Sequence, residues 1–211
     1  MGYEQKISTM HLDILKEIGN IGAGHAATAL STILDRKIDM KVPHVKIVSF
    51  DEMMEMAGGA DKVVVSVFLR IEGDAPGSMF FLLPLEQASA FIKSMIHDDH
   101  FSFEASPPSE LGLSAMQELG NILSGSYLSS LADFTQLNLL PSVPSISIDM
   151  AGAIIGFGLI EISQVSDYAI VIDTSLKEVT ASDAECVNGH FFLLPDPDSF
   201  DIIFQSLGVQ G

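Results

Sequence analysis

A recurrence of apolar residues at every third or fourth position predicts a long helix near the start of the chain. The pattern covers 10–34, and Ser8 or Thr9 precedes it as a candidate N-cap. The apolar side of this helix is formed by Ile14, Ile18, Ile21 and Ala29. The other side is polar, so we expect the helix to pack with one face and to expose the other.

The pattern after this helix predicts five further elements, and the same order then returns in the second half of the chain. An alternating run at 40–50 predicts a strand with Pro43 at an edge or bulge position. The remaining predicted elements of the first half are a short helix at 52–57, strands at 63–71 and 78–83, and a helix at 85–96. Their counterparts are a helix at 111–134, a strand at 139–148 that contains Pro144, a helix after Asp149, and strands at 168–176 and 191–195. The sequence FFLLP occurs in both halves, at 80–84 and again at 191–195.

This double order predicts one internally duplicated domain with pseudo-twofold symmetry. We assign 1–211 to a single domain that contains a first repeat at 10–96, a connector at 97–110 and a second repeat at 111–207. Because the strands are joined by short hairpins, we expect a central, mostly antiparallel sheet flanked by helices. The fold class is therefore α+β, or mixed α/β with little parallel pairing.

A stripe of polar and small residues is repeated on the two long helices. In the first helix it consists of Asp13, Glu17, Asn20 and Gly24. The same spacing returns 101 positions later in Ser114, Glu118, Asn121 and Gly125. At about 100° per residue, each set of four falls on one narrow edge of its helix.

A single stripe of this kind is usually a solvated helix face, but its repetition argues for a shared role. Neighbouring positions differ between the copies, as Ile18 and Leu119 do, whereas glutamate and asparagine persist. Their Cβ atoms, three positions apart, are about 5 to 6 Å from each other. A carboxylate suits a cation or a basic side chain, and a carboxamide suits a bound water. No serine or cysteine nucleophile with a histidine base accompanies them.

The glycines of the two long helices divide into two groups. Gly19 and its counterpart Gly120 lie off the stripe, and we expect close packing there. Gly24 and Gly125 lie on the stripe, and there we expect a partner protein to approach the bare backbone.

Composition narrows the classes of partner. Acidic residues outnumber basic ones 28 to 10, and the net charge of −18 disfavours nucleic acid and anionic membranes. Cys186 is the single cysteine and the six histidines are scattered, so we expect no disulfide and no resident metal or cofactor. The first residues carry no targeting pattern, and no apolar run approaches the length of a membrane span. We expect a soluble, cytoplasmic protein without membrane insertion.

The doubled motif of Asp or Ser, three residues, Glu, two residues, Asn, 22 residues and Pro resembles that of the CheC family of chemotaxis phosphatases. This family is related to CheX and to the flagellar switch proteins FliY and FliM. The resemblance extends over most of the chain, and the segment DILKEIGNIGAGHAATALS is especially similar. It implies hydrolysis of the aspartyl phosphate of the response regulator CheY, and binding of the receptor deamidase CheD. Through CheD it also implies an indirect association with chemoreceptor complexes.

The resemblance assigns roles to the residues of the stripe. Asn20 and Asn121 would position the attacking water, and Glu17 and Glu118 would hold the receiver domain of CheY through its active-site lysine. The required Mg²⁺ would belong to CheY. Asp13 and Ser114 would contact the partner.

Two questions remain open at the level of sequence. The helix after Asp149 is rich in small and apolar residues, which fits a buried core helix or a surface for CheD. Asp149 itself, as a capping acid at a helix start, is our candidate contact for CheD. The alternative to a phosphatase is a non-catalytic module of the flagellar switch, or a regulator of CheD, that binds phosphorylated CheY without hydrolysing it.

Overall fold

The computed structural model describes residues 7–105, 108–162, 168–179 and 186–208. Each half has the element order that the sequence predicts, except that each first strand is divided in two. The helices are α1 (Thr9–Leu34), α2 (Phe50–Met56), α3 (Leu85–Ile96), α4 (Glu110–Thr135), α5 (Ala151–Ile162) and α6 (Pro197–Ser206). The strands are β1 (Ile38–Lys41), β2 (Val45–Ser49), β3 (Val63–Gly73), β4 (Gly77–Pro84), β5 (Leu139–Pro141), β6 (Ser145–Met150), β7 (Tyr168–Glu178) and β8 (Val187–Pro195).

The strands of the described residues form one antiparallel sheet in the order β1-β7-β8-β4-β3-β5. In addition, β2 pairs with β7 and β6 pairs with β3. The two FFLLP segments meet at the centre, where Phe80 pairs with Phe192 and Phe81 pairs with Phe191. That reciprocal register is the one a twofold axis between β4 and β8 requires. The expected class, a mostly antiparallel sheet flanked by helices, is confirmed.

Each half donates its first two strands to the other half. Strands β1 and β2 pair with β7 of the second half, and β5 and β6 pair with β3 of the first half. The halves therefore share their backbone hydrogen bonds as well as a core.

The sheet is covered on both faces. Helices α1, α3, α4 and α6 bury the larger apolar cluster, which includes Val67, Phe81 and Phe191. Helices α2 and α5 cover the opposite face, where Phe80 and Phe192 lie. The long helices α1 and α4 pack directly on each other, and a Cβ on Gly22 would lie 3.0 Å from the backbone oxygen of Ser126. This contact fixes the positions of both polar stripes.

Three local predictions require correction or completion. The strands predicted at 40–50 and 139–148 are interrupted at Pro43 and Pro144, because proline has no amide hydrogen for the ladder. Asp149 does not cap α5; it lies in β6 opposite Val64, since the pairing with β3 continues through Met150. The connector is anchored by Phe101 and Phe103, which are both buried in the core, while its residues 106 and 107 lie outside the described part of the chain.

Within the described ranges, no helix combines the length and the apolar character needed to cross a bilayer.

Candidate functional site

The stripe predicted from the sequence lies on the outer faces of α1 and α4. Asp13 and Glu17 on α1 are exposed, as are Ser114 and Glu118 on α4. The two asparagines differ, because Asn20 is half-buried whereas Asn121 is exposed. The structure thus brings each set of four together on one helix edge, but it does not make the two edges equivalent.

Asn20 is hydrogen-bonded to the segment between β1 and β2. Its Oδ1 accepts the Val42 amide hydrogen at 2.9 Å, and its Nδ2 donates to the Lys16 carbonyl at 3.0 Å and to the Val42 carbonyl at 3.4 Å. All the hydrogen-bonding groups of this side chain are therefore engaged with the backbone. In this conformation Asn20 fastens α1 to the end of β1.

Asn121 makes no side-chain hydrogen bond within the described residues. Its counterpart of Val42 is Val143, which lies between β5 and β6. Val42 is buried, with 1% of its surface exposed, whereas Val143 is 80% exposed. The same residue type at the matching position is a core residue in one half and a surface residue in the other.

Packing against the paired glycines explains part of this difference. A Cβ on Gly19 would find Val42 Cγ2 at 3.3 Å as its nearest neighbour. A Cβ on Gly120 would lie only 2.5 Å from Cγ1 of Val67 on β3. The three atoms nearest to a Cβ on Gly120 all belong to Val67, so Val67 packs against this glycine in the way that Val42 packs against Gly19. These contacts confirm the expected packing role of Gly19 and Gly120.

Hydrogen bonds hold the segment after β5 in its own conformation. Gln117 Nε2 donates to the Pro144 carbonyl at 3.1 Å. The Ser142 amide donates to the Arg70 carbonyl at 2.8 Å, and the Arg70 amide donates to Ser142 Oγ at 3.0 Å. The residue that corresponds to Gln117 in the first half is Lys16, and among the described residues its side chain makes no matching hydrogen bond to Pro43.

The result is an open cleft of about 430 Å³ along α4. One wall is formed by the helix and the other by the segment between β5 and β6. The lining residues are Ser114, Gln117, Glu118, Asn121, Pro141, Ser142, Val143 and Pro144. The cleft thus places a free carboxamide next to an exposed carboxylate, on a surface that another protein can reach.

The two glycines of the stripe leave open space. A Cβ added to Gly24 or to Gly125 would meet nothing within 4 Å. Internal packing therefore does not require glycine at either position. Both positions remain our predictions for contact with a partner.

The exposed carboxylate of Glu118 has no charged partner in the described part of the chain. No ion pair to Glu118 occurs among the described residues. The same part of the chain brings no group of three or more histidine, cysteine, aspartate or glutamate side chains together in a way that could hold a metal ion.

A carboxylate and an imidazole are hydrogen-bonded to each other on the sheet. Asp173 Oδ1 is 2.8 Å from His190 Nδ1, and this hydrogen bond lowers the pKa of the Asp173 carboxyl. The pair lies on β7 and β8 and belongs to neither stripe.

Asp149 is exposed, and its Oδ1 accepts the Met150 amide hydrogen at 2.8 Å. It lies on the strand that leads into α5. Its proposed contact with CheD stays a prediction.

Gln117 and Val143 were not singled out by the sequence. The only signal for Gln117 was its difference from Lys16 at a matched position, and Val143 was hidden by its identity with Val42.

Comparison with known proteins identifies the same two regions. A model of the CheC-like family matches residues 10–47 and 111–148, which contain both stripes and the strands that follow them. A Bacillus subtilis protein named CheY-P phosphatase CheC is 52% identical over 204 residues, and the alignment covers 97% of each chain. The flagellar motor switch phosphatase FliY of the same organism is 30% identical over 128 residues, which are 60% of this chain and 32% of FliY. The crystal structure of Thermotoga maritima FliY has the same fold, with a TM-score of 0.72 at 21% identity over 96% of this chain and 98% of that one.

Proposed function

The chain belongs to the CheC-like family, and on that premise we propose that it is a phosphatase that hydrolyses the aspartyl phosphate of the response regulator CheY. The identity of 52% over nearly the whole length of a CheY-P phosphatase supports this substrate. A cytoplasmic location, as the sequence predicts, fits such a substrate.

One structural observation carries the proposal: Asn121 presents a free carboxamide beside Glu118 in an open cleft. A carboxamide both donates and accepts hydrogen bonds, so it can hold a water in a defined orientation. An exposed carboxylate without an internal partner can pair with a basic side chain of another protein. Together they offer binding and water positioning within one turn of helix.

This small set of groups suffices because the substrate brings the rest of the chemistry. In an acyl phosphate on a receiver domain, the electrophile and a Mg²⁺ ion are held by the receiver's own acids. A phosphatase then has to deliver a water in line with the phosphorus and keep it there. We assign the orientation of that water to Asn121 and the docking of the receiver, through its lysine, to Glu118. Ser114, about one turn before Glu118, contacts the receiver outside the reaction centre.

The corresponding residues of the first half are assigned the same roles, but there a conformational change has to come before the reaction. Glu17 is exposed and can dock a receiver, but Asn20 has to leave the Val42 backbone before its amide can bind water. Asp13 and Gly24 would border this second site. We therefore propose that Asn121 accounts for the greater part of the hydrolysis by the unmodified chain.

The proposal includes binding of CheD, with Asp149 as a contact. Its support is limited to family membership and to the exposure of Asp149 next to α5. Replacing Asp149 by lysine should weaken binding of CheD and leave the hydrolysis of phosphorylated CheY unchanged.

The test of the phosphatase is the decay of phosphorylated CheY in the presence of a substoichiometric amount of the chain. The wild type should accelerate the decay. Asn121→Ala should lower kcat by at least about tenfold, the usual loss when a group that positions a reactant is removed. Glu118→Lys should instead raise KM, because it places a like charge opposite the receiver's lysine. A wild-type chain that binds phosphorylated CheY without accelerating its decay would favour the non-catalytic alternative.

A further inference from the structure

Val143 is the most exposed large apolar side chain reported for the described residues, and it lies on the wall of the cleft. Leaving an apolar side chain in water gives up the free energy that its burial would contribute. The first half shows that this fold can bury the same side chain, since Val42 is 99% removed from solvent.

The exposure of Val143 is built into the fold. Ser142, the residue before it, donates one hydrogen bond to the Arg70 backbone and accepts another from it. The carbonyl of Pro144, the residue after it, accepts a hydrogen bond from Gln117. A side chain that is held in water between two anchored neighbours loses little conformational entropy when a partner covers it.

A second exposed apolar residue continues the surface along α4. Leu111, 62% exposed, lies seven positions before Glu118 on the same helix edge. The unpaired Glu118 carboxylate thus has one exposed apolar residue two turns before it on its own helix and another on the facing wall of the cleft. This surface fits a partner with a basic side chain flanked by apolar residues, and it is continuous with the cleft in which Asn121 lies.

We propose that Val143, with Leu111, forms the apolar docking surface that sets the affinity of this chain for the phosphorylated receiver domain. The inference rests on the proposed function, because the same partner is the substrate. Val143 does not touch the reacting atoms in this assignment. Its effect is therefore expected in KM and in the dissociation constant, whereas kcat depends on Asn121.

The test compares Val143→Ser with Val179→Ser. Val179 is another exposed valine, with 47% of its surface exposed. It follows β7, which lies towards the other edge of the sheet from β5. Neither side chain belongs to the apolar core, so both variants should keep a melting temperature close to that of the wild type. Val143→Ser should raise KM for phosphorylated CheY about five- to tenfold at unchanged kcat, which corresponds to the loss of one buried aliphatic contact. Leu111→Ser should act in the same direction, and Val179→Ser should have no effect.

A binding measurement separates failure of this inference from failure of the proposed function. CheY activated with beryllofluoride and Mg²⁺ is titrated into each variant by calorimetry, which requires no hydrolysis. Weaker binding by Val143→Ser supports the docking surface even if the wild type proves to be inactive as an enzyme. An unchanged dissociation constant overturns it, and so does a loss confined to kcat. The surface would instead be an interface between two copies if Val143→Ser lowered the molar mass in sedimentation equilibrium without weakening the binding of CheY, and that result also overturns the inference.

Discussion

Replacing Asn20 by alanine should destabilise the protein, whereas the identical replacement of Asn121 should not. Asn20 provides the only acceptor, among the described residues, for the amide hydrogen of the buried Val42. An unsatisfied buried donor costs about 1–3 kcal/mol. Alanine recovers up to about 0.7 kcal/mol through its higher helix propensity. We therefore expect Asn20→Ala to lower the free energy of unfolding by about 1–2 kcal/mol.

Asn121→Ala breaks no hydrogen bond within the described residues. Its effect on the free energy of unfolding should therefore come only from the higher helix propensity of alanine. This variant should be as stable as the wild type, or more stable by up to about 0.7 kcal/mol. The assay is urea denaturation followed by circular dichroism, and at equal m-values a shift of the midpoint reports a change in stability. Under the role proposed for Asn121, the activities should change in the reverse order: Asn121→Ala should lose most of the phosphatase rate, and Asn20→Ala should lose less. Equal stability losses in both variants would refute the structural role that we assign to Asn20.

Two further predictions concern two glycines of α4 and the hydrogen bond between Asp173 and His190. Gly120→Ala should lower the free energy of unfolding by about 1–3 kcal/mol, because its Cβ would overlap Val67. Gly125→Ala faces open space, so it should stabilise the free chain by up to about 1 kcal/mol and weaken binding of CheY. Thermal denaturation measures the stabilities and calorimetry measures the binding, and unimpaired binding by Gly125→Ala would remove this glycine from the partner surface. His190→Gln should raise the pKa of Asp173, which the hydrogen bond from His190 holds below its usual value. Because the folded-state pKa is depressed, the pair contributes stability above the ordinary aspartate pKa of about 3.9 and loses it as the pH falls through the lower folded value. Denaturant midpoints should therefore separate wild type from variant at neutral pH and converge in strong acid, and a constant difference at every pH would contradict the linkage.

The sequence allowed the fold class and both stripes to be predicted, because these depend on regular periods that occur twice. Long helices with apolar residues every three or four positions, and hairpins of alternating strands, leave few other arrangements for a chain of this length. The positions of Gly19 and Gly120 against neighbouring side chains followed from the same reasoning.

The difference between the two halves could not be predicted in the same way. Val42 and Val143, and the prolines that follow them, are identical in sequence yet differ in exposure. Their surroundings differ in contacts between residues far apart in the chain: Val42 packs against Gly19, whereas Val67 packs against Gly120, and Gln117 is hydrogen-bonded to Pro144. The position of Asp149 was wrong for a similar reason, since pairing with β3 extends β6 beyond the residue that resembles a cap.

The exchange of strands between the halves also limits how independently the two sites can behave. Every strand that leads away from one stripe is completed by a neighbour from the opposite repeat. A substitution that destabilises α1 should therefore also destabilise α4, because both helices pack on the common sheet. Unfolding of one repeat would remove strand partners from the other, so a state with only one repeat folded should not be stable. The two stripes can therefore differ in exposure, as Asn20 and Asn121 do, while the two repeats are expected to unfold as one cooperative unit.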